Sequence, residues 1–201
     1  MADAVLVFDM GGVLYDFQGD RLIAENSRRA RRWRSEEVQS RWVPLVLDFE
    51  TGSCSEAEFA SRIVESYDLK LTPTEFLRSF RDAAAGFYPG ALDLLAELAE
   101  RHRLFSLSNS NGIQWPKVVT DLGAQDPFSA HHPSHVSGFH KPDARAFEAV
   151  LQACENASAR YFFDDRSLNI AAAEALGFRA RRVRGVAEAR RACVELGLLG
   201  R

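Results

Sequence analysis

The stretch Ala4-Val5-Leu6-Val7-Phe8-Asp9-Met10-Gly11-Gly12-Val13-Leu14 sets the frame for the rest of the chain. Five apolar residues run without interruption into a carboxylate and then a glycine pair. A run that is apolar on both faces reads as a strand buried inside a parallel sheet. Asp9 at its end is costly to bury unless a cation pairs with it. Gly11-Gly12 reads as the turn that follows.

Beyond this stretch the texture changes. From about Asp20 to Ala85 it is polar and helical, with no convincing strand. Leu22, Ile23, Ala30 and Trp33 recur at roughly helical intervals. Ser55 with Glu58, and Thr72-Pro73 with Glu75, have the spacing of capped helix starts. After Pro89-Gly90 strands and helices alternate. Helices are expected over Ala91–Arg101, Ala144–Cys154, Leu168–Leu176 and Val186–Leu196. Strands are expected at Leu104–Leu107, Tyr161–Phe163 and Arg179–Val183. This alternation implies an α/β fold, a doubly wound parallel sheet. The expected division is a Rossmann-like core over residues 1–16 and 88–201, with an inserted small all-helical cap over 17–87.

Composition narrows the function. The chain has 201 residues, 46% of them apolar, which is enough for a real core. A formal net charge of -3 argues against a general nucleic-acid or membrane-surface binder. No basic start precedes an uninterrupted apolar run, so a soluble cytoplasmic protein is expected. Three cysteines, Cys54, Cys154 and Cys193, are odd in number and lack metal-site spacing. The only lysines are Lys70, Lys117 and Lys141.

In such a sheet, ligands bind at the carboxyl ends of the strands. Polar clusters fall at three of these ends: Asp9, Ser108-Asn109-Ser110-Asn111 and Asp164-Asp165. Lys141 precedes Pro142 in a loop between two of them. Adjacent acids repel, so a nearby cation explains the Asp164-Asp165 pair, although a helix start also favours acids. The Ser-Asn run could be a polar turn or a phosphate cradle, and Lys141 a solvated charge or a phosphate partner.

Taken in order, these residues resemble the four motifs of the haloacid dehalogenase superfamily. They are Phe8-Asp9-Met10-Gly11-Gly12-Val13-Leu14, Leu107-Ser108-Asn109, His140-Lys141-Pro142-Asp143 and Phe163-Asp164-Asp165-Arg166-Ser167-Leu168-Asn169. The insertion, including Glu50-Thr51-Gly52-Ser53, is similar to the small helical cap of the phosphatase branch. The resemblance implies a Mg²⁺-dependent phosphatase acting on a small phosphorylated metabolite through an aspartyl-phosphate intermediate. It makes Asp9 the nucleophile. Asp9, Asp165 and the Gly11 carbonyl become metal ligands, with Asp164 and Asn169 supporting them. Ser108 and Asn109 would bind the phosphate, and Lys141 would bridge Asp9 and the phosphoryl oxygens.

One position departs from the pattern. Most phosphatases of this family carry an acid–base Asp two residues after the nucleophile, and this chain has Gly11. A substrate whose leaving group needs little protonation, such as an anomeric sugar phosphate, suits that change. Members similar to glucose-1-phosphate phosphatases share it. Rival readings are a 2-haloacid dehalogenase, which has no use for the Asp164-Asp165 pair, and a catalytically weakened binding protein. The expected partner is a small phosphate ester, not nucleic acid or membrane, and oligomeric state stays open. Arg28, Arg29, Arg31, Arg32 and Arg34 read as a solvated face balanced by Glu36 and Glu37, with an anionic partner as the alternative. Trp33 and Trp42 read as cap core. His131, His132, His135 and His140 are expected on a loop, and His140 is the candidate replacement proton donor.

Overall fold

A computed structural model describes residues 4–28 and 35–200. Of the arginine run, only Arg28 falls inside them. Arg29, Arg31, Arg32, Arg34 and Trp33 lie outside.

The run that opened the sequence analysis is β1, Ala4–Phe8, and every residue of it is buried. Beside it lie β4 (Arg103–Ser108) and β6 (Ala159–Asp164), both parallel to it. The sheet is completed by β5 (Phe128–Pro133) and β7 (Arg179–Arg182), in the order β5-β4-β1-β6-β7. β1 is central, so its side chains alternate between two cores. Leu6 and Phe8 join one cluster with Leu94, Leu95 and Leu98 of α5 (Ala91–Ala99), Val118 and Leu122 of α6 (Trp115–Leu122) and Cys193 of α10 (Gly185–Glu195). Val5 and Val7 join the other, with Phe162, Phe147, Val150 of α8 (Glu148–Ala153) and Ala173 of α9 (Ser167–Ala175). Helices on both faces of a parallel sheet make this the expected doubly wound α/β architecture. Phe8 and Phe163 stack across the β1–β6 pair with ring centroids 4.7 Å apart. Burying a side chain of this size stabilises the fold by roughly 1.5–3 kcal/mol.

A third apolar cluster belongs to four helices between β1 and the rest of the sheet. They are α1 (Gly19–Asn26), α2 (Ser35–Glu50), α3 (Glu56–Ser66) and α4 (Pro73–Asp82). Phe49, Phe59, Phe76 and Phe80 pack at its centre, and Trp42 lies against it. Both expected capping boxes are formed. Ser55 Oγ accepts from the Glu58 N–H while Glu58 accepts from the Ser55 N–H, and Thr72 and Glu75 do the same.

The structure corrects the sequence reading in four places. Two short strands, β2 (Tyr15–Phe17) and β3 (Ala84–Phe87), pair antiparallel where no strand was expected. This ribbon carries the chain between the sheet and the four helices. β5 was expected as a loop, and it carries His131 and His132, with His135 in the short helix α7 (Ser134–Ser137). As an edge strand it is only partly covered, so its sequence lacks the apolar run of β1. Finally, the helix expected from Ala144 begins as a 3₁₀ turn over Ala144–Phe147, where the Asp143 side chain accepts from the Arg145 N–H.

Candidate active site

Strand register brings the chemistry together. Phe8 pairs with Phe163, and the Asp9 N–H donates to the Phe163 carbonyl at 2.8 Å. Asp9 therefore lies beside Asp164 at one edge of the sheet. Lys141 reaches this edge from the loop after α7. Its Nζ lies 3.0 Å from Asp9 Oδ1 and 2.8 Å from Asp164 Oδ2, and donates to the Leu107 carbonyl at 2.7 Å. All three ammonium protons have an acceptor, and the side chain is fully buried.

Asp164 is spent on structure. Its oxygens accept from Lys141 Nζ, from Asn169 Nδ2 at 3.0 and 2.9 Å, and from the Arg166 N–H at 2.8 Å. The Asp165 carboxylate has no hydrogen-bond partner among the described residues, while its main-chain carbonyl accepts from Arg182 Nε at 3.2 Å. Its Oδ2 lies only 2.9 Å from where a Cβ on Gly12 would sit, and Gly12 has φ +74°. The chain turns tightly there so that backbone can approach the carboxylate.

Three carboxylates face one ammonium here. Burial, above all, pushes the Asp9 carboxyl up to about 7. Lys141 pulls it down, and Asp164 and Asp165 push it further up. Burial and then Asp164 likewise raise Asp165. For Lys141, burial works to lower the value, but Asp164 and Asp9 outweigh it and raise it. Ligand oxygens of Asp9, Asp164 and Asp165 all lie within 4.8 Å of one another. This is an all-oxygen, electron-rich cluster of the kind that holds a hard divalent cation such as Mg²⁺. Since Asp164 is committed elsewhere, Asp9 and Asp165 are the carboxylates that could hold such a cation.

A cavity of about 310 Å³ opens over this cluster. Asp9, Gly11, Lys141 and Asp165 form its floor, and Trp42, Val43 and Phe80 from the helical segment line it from the other side. The Ser-Asn turn borders the same cavity. Ser108 does not line the cavity; its hydroxyl lies 3.5 Å from the Asn109 carbonyl. The Asn109 side chain accepts from the Lys141 N–H at 2.8 Å and donates to the Lys141 carbonyl at 3.0 Å. It holds the lysine loop while also lining the cavity. Ser110 and Asn111 line it too, and the buried Ser110 Oγ has no hydrogen-bond partner among the described residues. An orphaned hydroxyl in a residue lining the same cavity as a lysine suits an anionic ligand.

Sequence reasoning missed Glu50 as a site residue. It ends α2, is 8% exposed and lines the same cavity as Asp9. Its Oε2 lies 3.0 Å from His140 Nε2. Only the Glu50-Thr51-Gly52-Ser53 string marked this position. A wider cleft of about 1020 Å³ continues past His140, Arg166 and Arg182. Among the described residues no helix is long and apolar enough to cross a membrane.

A parallel sheet that gathers three aspartates and a lysine at its carboxyl edge defines a Rossmann-like hydrolase core. The family model of haloacid dehalogenase-like hydrolases matches residues 4–177, and the chain belongs to that family. Among curated proteins it is similar to Phosphatase MT3486 of Mycobacterium tuberculosis, with 29% identity over 191 residues, 90% of this chain and 87% of that one. Among solved structures it is similar to the HAD family enzyme BT-2542 of Bacteroides thetaiotaomicron. That match has TM-score 0.74 and 24% identity and covers 92% of this chain and 95% of the other. BT-2542 has also been solved in complex with magnesium and inorganic phosphate. A predicted HAD-like family hydrolase of Porphyromonas gingivalis matches at TM-score 0.71 and 25% identity, over 98% of both chains.

Proposed function

We propose that this hydrolase is a Mg²⁺-dependent phosphatase that cleaves a small phosphate monoester, with Asp9 as nucleophile. The observation that carries the reading is the buried cluster in which Lys141 Nζ sits between Asp9 Oδ1 and Asp164 Oδ2. A phosphoryl group above Asp9 would meet the lysine, the Ser110 hydroxyl and the backbone of the Ser108–Asn111 turn. Asp9, Asp165 and the Gly11 carbonyl would hold Mg²⁺, with Asp164 and Asn169 fixing the surrounding groups. The cation would offset charge on the phosphoryl oxygens. Asp9 attacks phosphorus to give an aspartyl phosphate, which water then hydrolyses. Segment 17–87 serves as the cap that shapes the leaving-group side. A cavity of about 310 Å³ fits a metabolite of sugar-phosphate size. The phosphatase name of the mycobacterial relative and the magnesium–phosphate complex of BT-2542 support the same reading.

The test is phosphate release from a panel of phosphorylated metabolites and a generic aryl phosphate, with Mg²⁺ and with EDTA. Turnover is expected only with Mg²⁺, and Asp9→Asn, nearly isosteric and poorly nucleophilic, should abolish it while the protein stays folded. Full turnover in EDTA, or by the Asn variant, would overturn the assignment.

A further inference from the structure

We propose that Glu50 is the general acid and base that Gly11 does not supply, with His140 as the residue that positions it. The inference rests on the phosphatase reading of the site and names a residue for the proton transfers.

Hydrogen-bond logic around His140 carries the argument. Its Nδ1 is held between the Lys141 carbonyl oxygen at 2.7 Å and Asn109 Nδ2 at 2.9 Å. The orientation of that amide is fixed, because its Oδ1 accepts from the Lys141 N–H, and one of its two Nδ2 protons goes to the Lys141 carbonyl. The imidazole is thus pinned at one nitrogen, and the other, Nε2, lies 3.0 Å from Glu50 Oε2. This contact fixes the Glu50 carboxyl group, and Glu50 is the member of the pair on the cavity of Asp9.

Position supplies the rest. Phosphoryl transfer places attacking and leaving oxygens roughly in line. Asp9 attacks from the sheet edge, so the leaving oxygen departs toward α2 and the helical segment, where Glu50 lies. In the first half-reaction the Asp9 oxygen bonds to phosphorus, the ester P–O bond breaks and a proton passes from the Glu50 carboxyl to the leaving oxygen, releasing an alcohol. In the second, Glu50 takes a proton from water as its oxygen attacks phosphorus. Asp9 leaves as carboxylate, inorganic phosphate is released and Glu50 again carries the proton.

Other charged groups face the same space. Asp9, Lys141, Asp165 and Arg166 line the cavity from the core, and Asp20 and Tyr88 line it too. His135 is close enough to feel the Glu50 charge, while Asp48 and Arg145 share the outer cleft with His140.

The experiment measures kcat/KM of the full chain with Mg²⁺ on aryl phosphates of graded leaving-group pKa and on one alkyl phosphate. Glu50→Gln should change the best aryl ester little. It should slow the alkyl ester by about 10²–10⁴-fold, the usual scale of general acid–base help. The slope against leaving-group pKa should steepen. Glu50→Asp, which keeps an acid on a shorter arm, should lie between. His140→Gln should steepen the slope less than Glu50→Gln. Equal losses across the series would overturn the proposal and leave the phosphatase reading standing, as would a steepened slope in Asp20→Asn but not in Glu50→Gln. Absence of turnover by the wild type on every ester would overturn both.

Discussion

Lys141 Nζ lies 2.8 Å from Asp164 Oδ2, with both side chains at 1% exposure or less. Removing either partner leaves the other charged and buried without compensation, which costs about 3–5 kcal/mol for a buried pair. Lys141→Ala should therefore lower both urea resistance and kcat/KM. Lys117→Ala removes only the half-exposed pair with Asp121 on α6, worth about 0–1 kcal/mol, and should leave turnover intact. Equal, small effects from the two variants would remove Lys141 from the site.

Gly11 has no positive φ, and a Cβ there would meet only the Phe17 ring at 3.3 Å. Aspartate should therefore fit with a small movement of Phe17. If Glu50 supplies the acid, Gly11→Asp should add little to the wild type but should restore alkyl-ester turnover to Glu50→Gln. That recovery should approach the roughly 10²–10⁴-fold that was lost. A folded double variant with no recovery would mean that the missing proton donor does not limit the site.

Gly12 is the opposite case. An added Cβ would press on Asp165 Oδ2 at 2.9 Å, and φ is +74°. Gly12→Ala should cost about 1–2 kcal/mol from backbone strain alone. Because the displaced atom belongs to a proposed metal ligand, the Mg²⁺ concentration for half-maximal activity should also rise. A stability loss with an unchanged Mg²⁺ requirement would separate Asp165 from the cation.

Tyr15 Oη donates to Asp121 Oδ2 at 2.6 Å, tying β2 to α6. Burial acts to raise Asp121, but hydrogen bonds from Lys117 and Tyr15 outweigh it and hold the carboxyl below its usual range. A depressed carboxylate stabilises the fold above its unfolded pKa of about 3.9, and loses that contribution as pH falls through its folded value. Tyr15→Phe should cost about 1–3 kcal/mol at pH 7, as for a hydrogen bond to a charged group. The gap to wild type should narrow below about pH 4. A gap that is constant with pH would show that the contact does not depend on the Asp121 charge.

What the sequence discloses follows from burial on both faces. β1 and β6 read clearly because central strands must be apolar throughout, and their ends mark where Asp9, Asp164 and Asp165 meet. β5 is half-covered and carries Ser129, His131 and His132, so no apolar run announces it. β2 and β3, with three and four residues, are too short to show a period. Within the site, residues fixed by their own strand were legible, and Asn109 and Lys141 were legible through the motifs that carry them. What the sequence did not disclose is the contact between them, in which the Asn109 amide is committed to the main chain of Lys141, or Glu50, which is held by His140, 90 residues away. An acid ending an amphipathic helix otherwise reads as a solvated charge.

The β2–β3 ribbon has a mechanical consequence. Both passages of the chain between sheet and helices run through it, and they are bonded to each other, with the Gln18 N–H closing onto the Ala83 carbonyl at 2.8 Å. The helical segment is thus mounted on a leaf spring rather than on two loose tethers. Tyr15 clamps one end to α6, so flexing concentrates beyond that clamp, near Gly86 with its φ of +129°. Bending a two-strand blade across its thin direction is soft, whereas shearing the strands would break the ladder. Opening would swing Glu50 away from His140 along this one easy path, so that admission of substrate and release of the Glu50–His140 contact become a single motion.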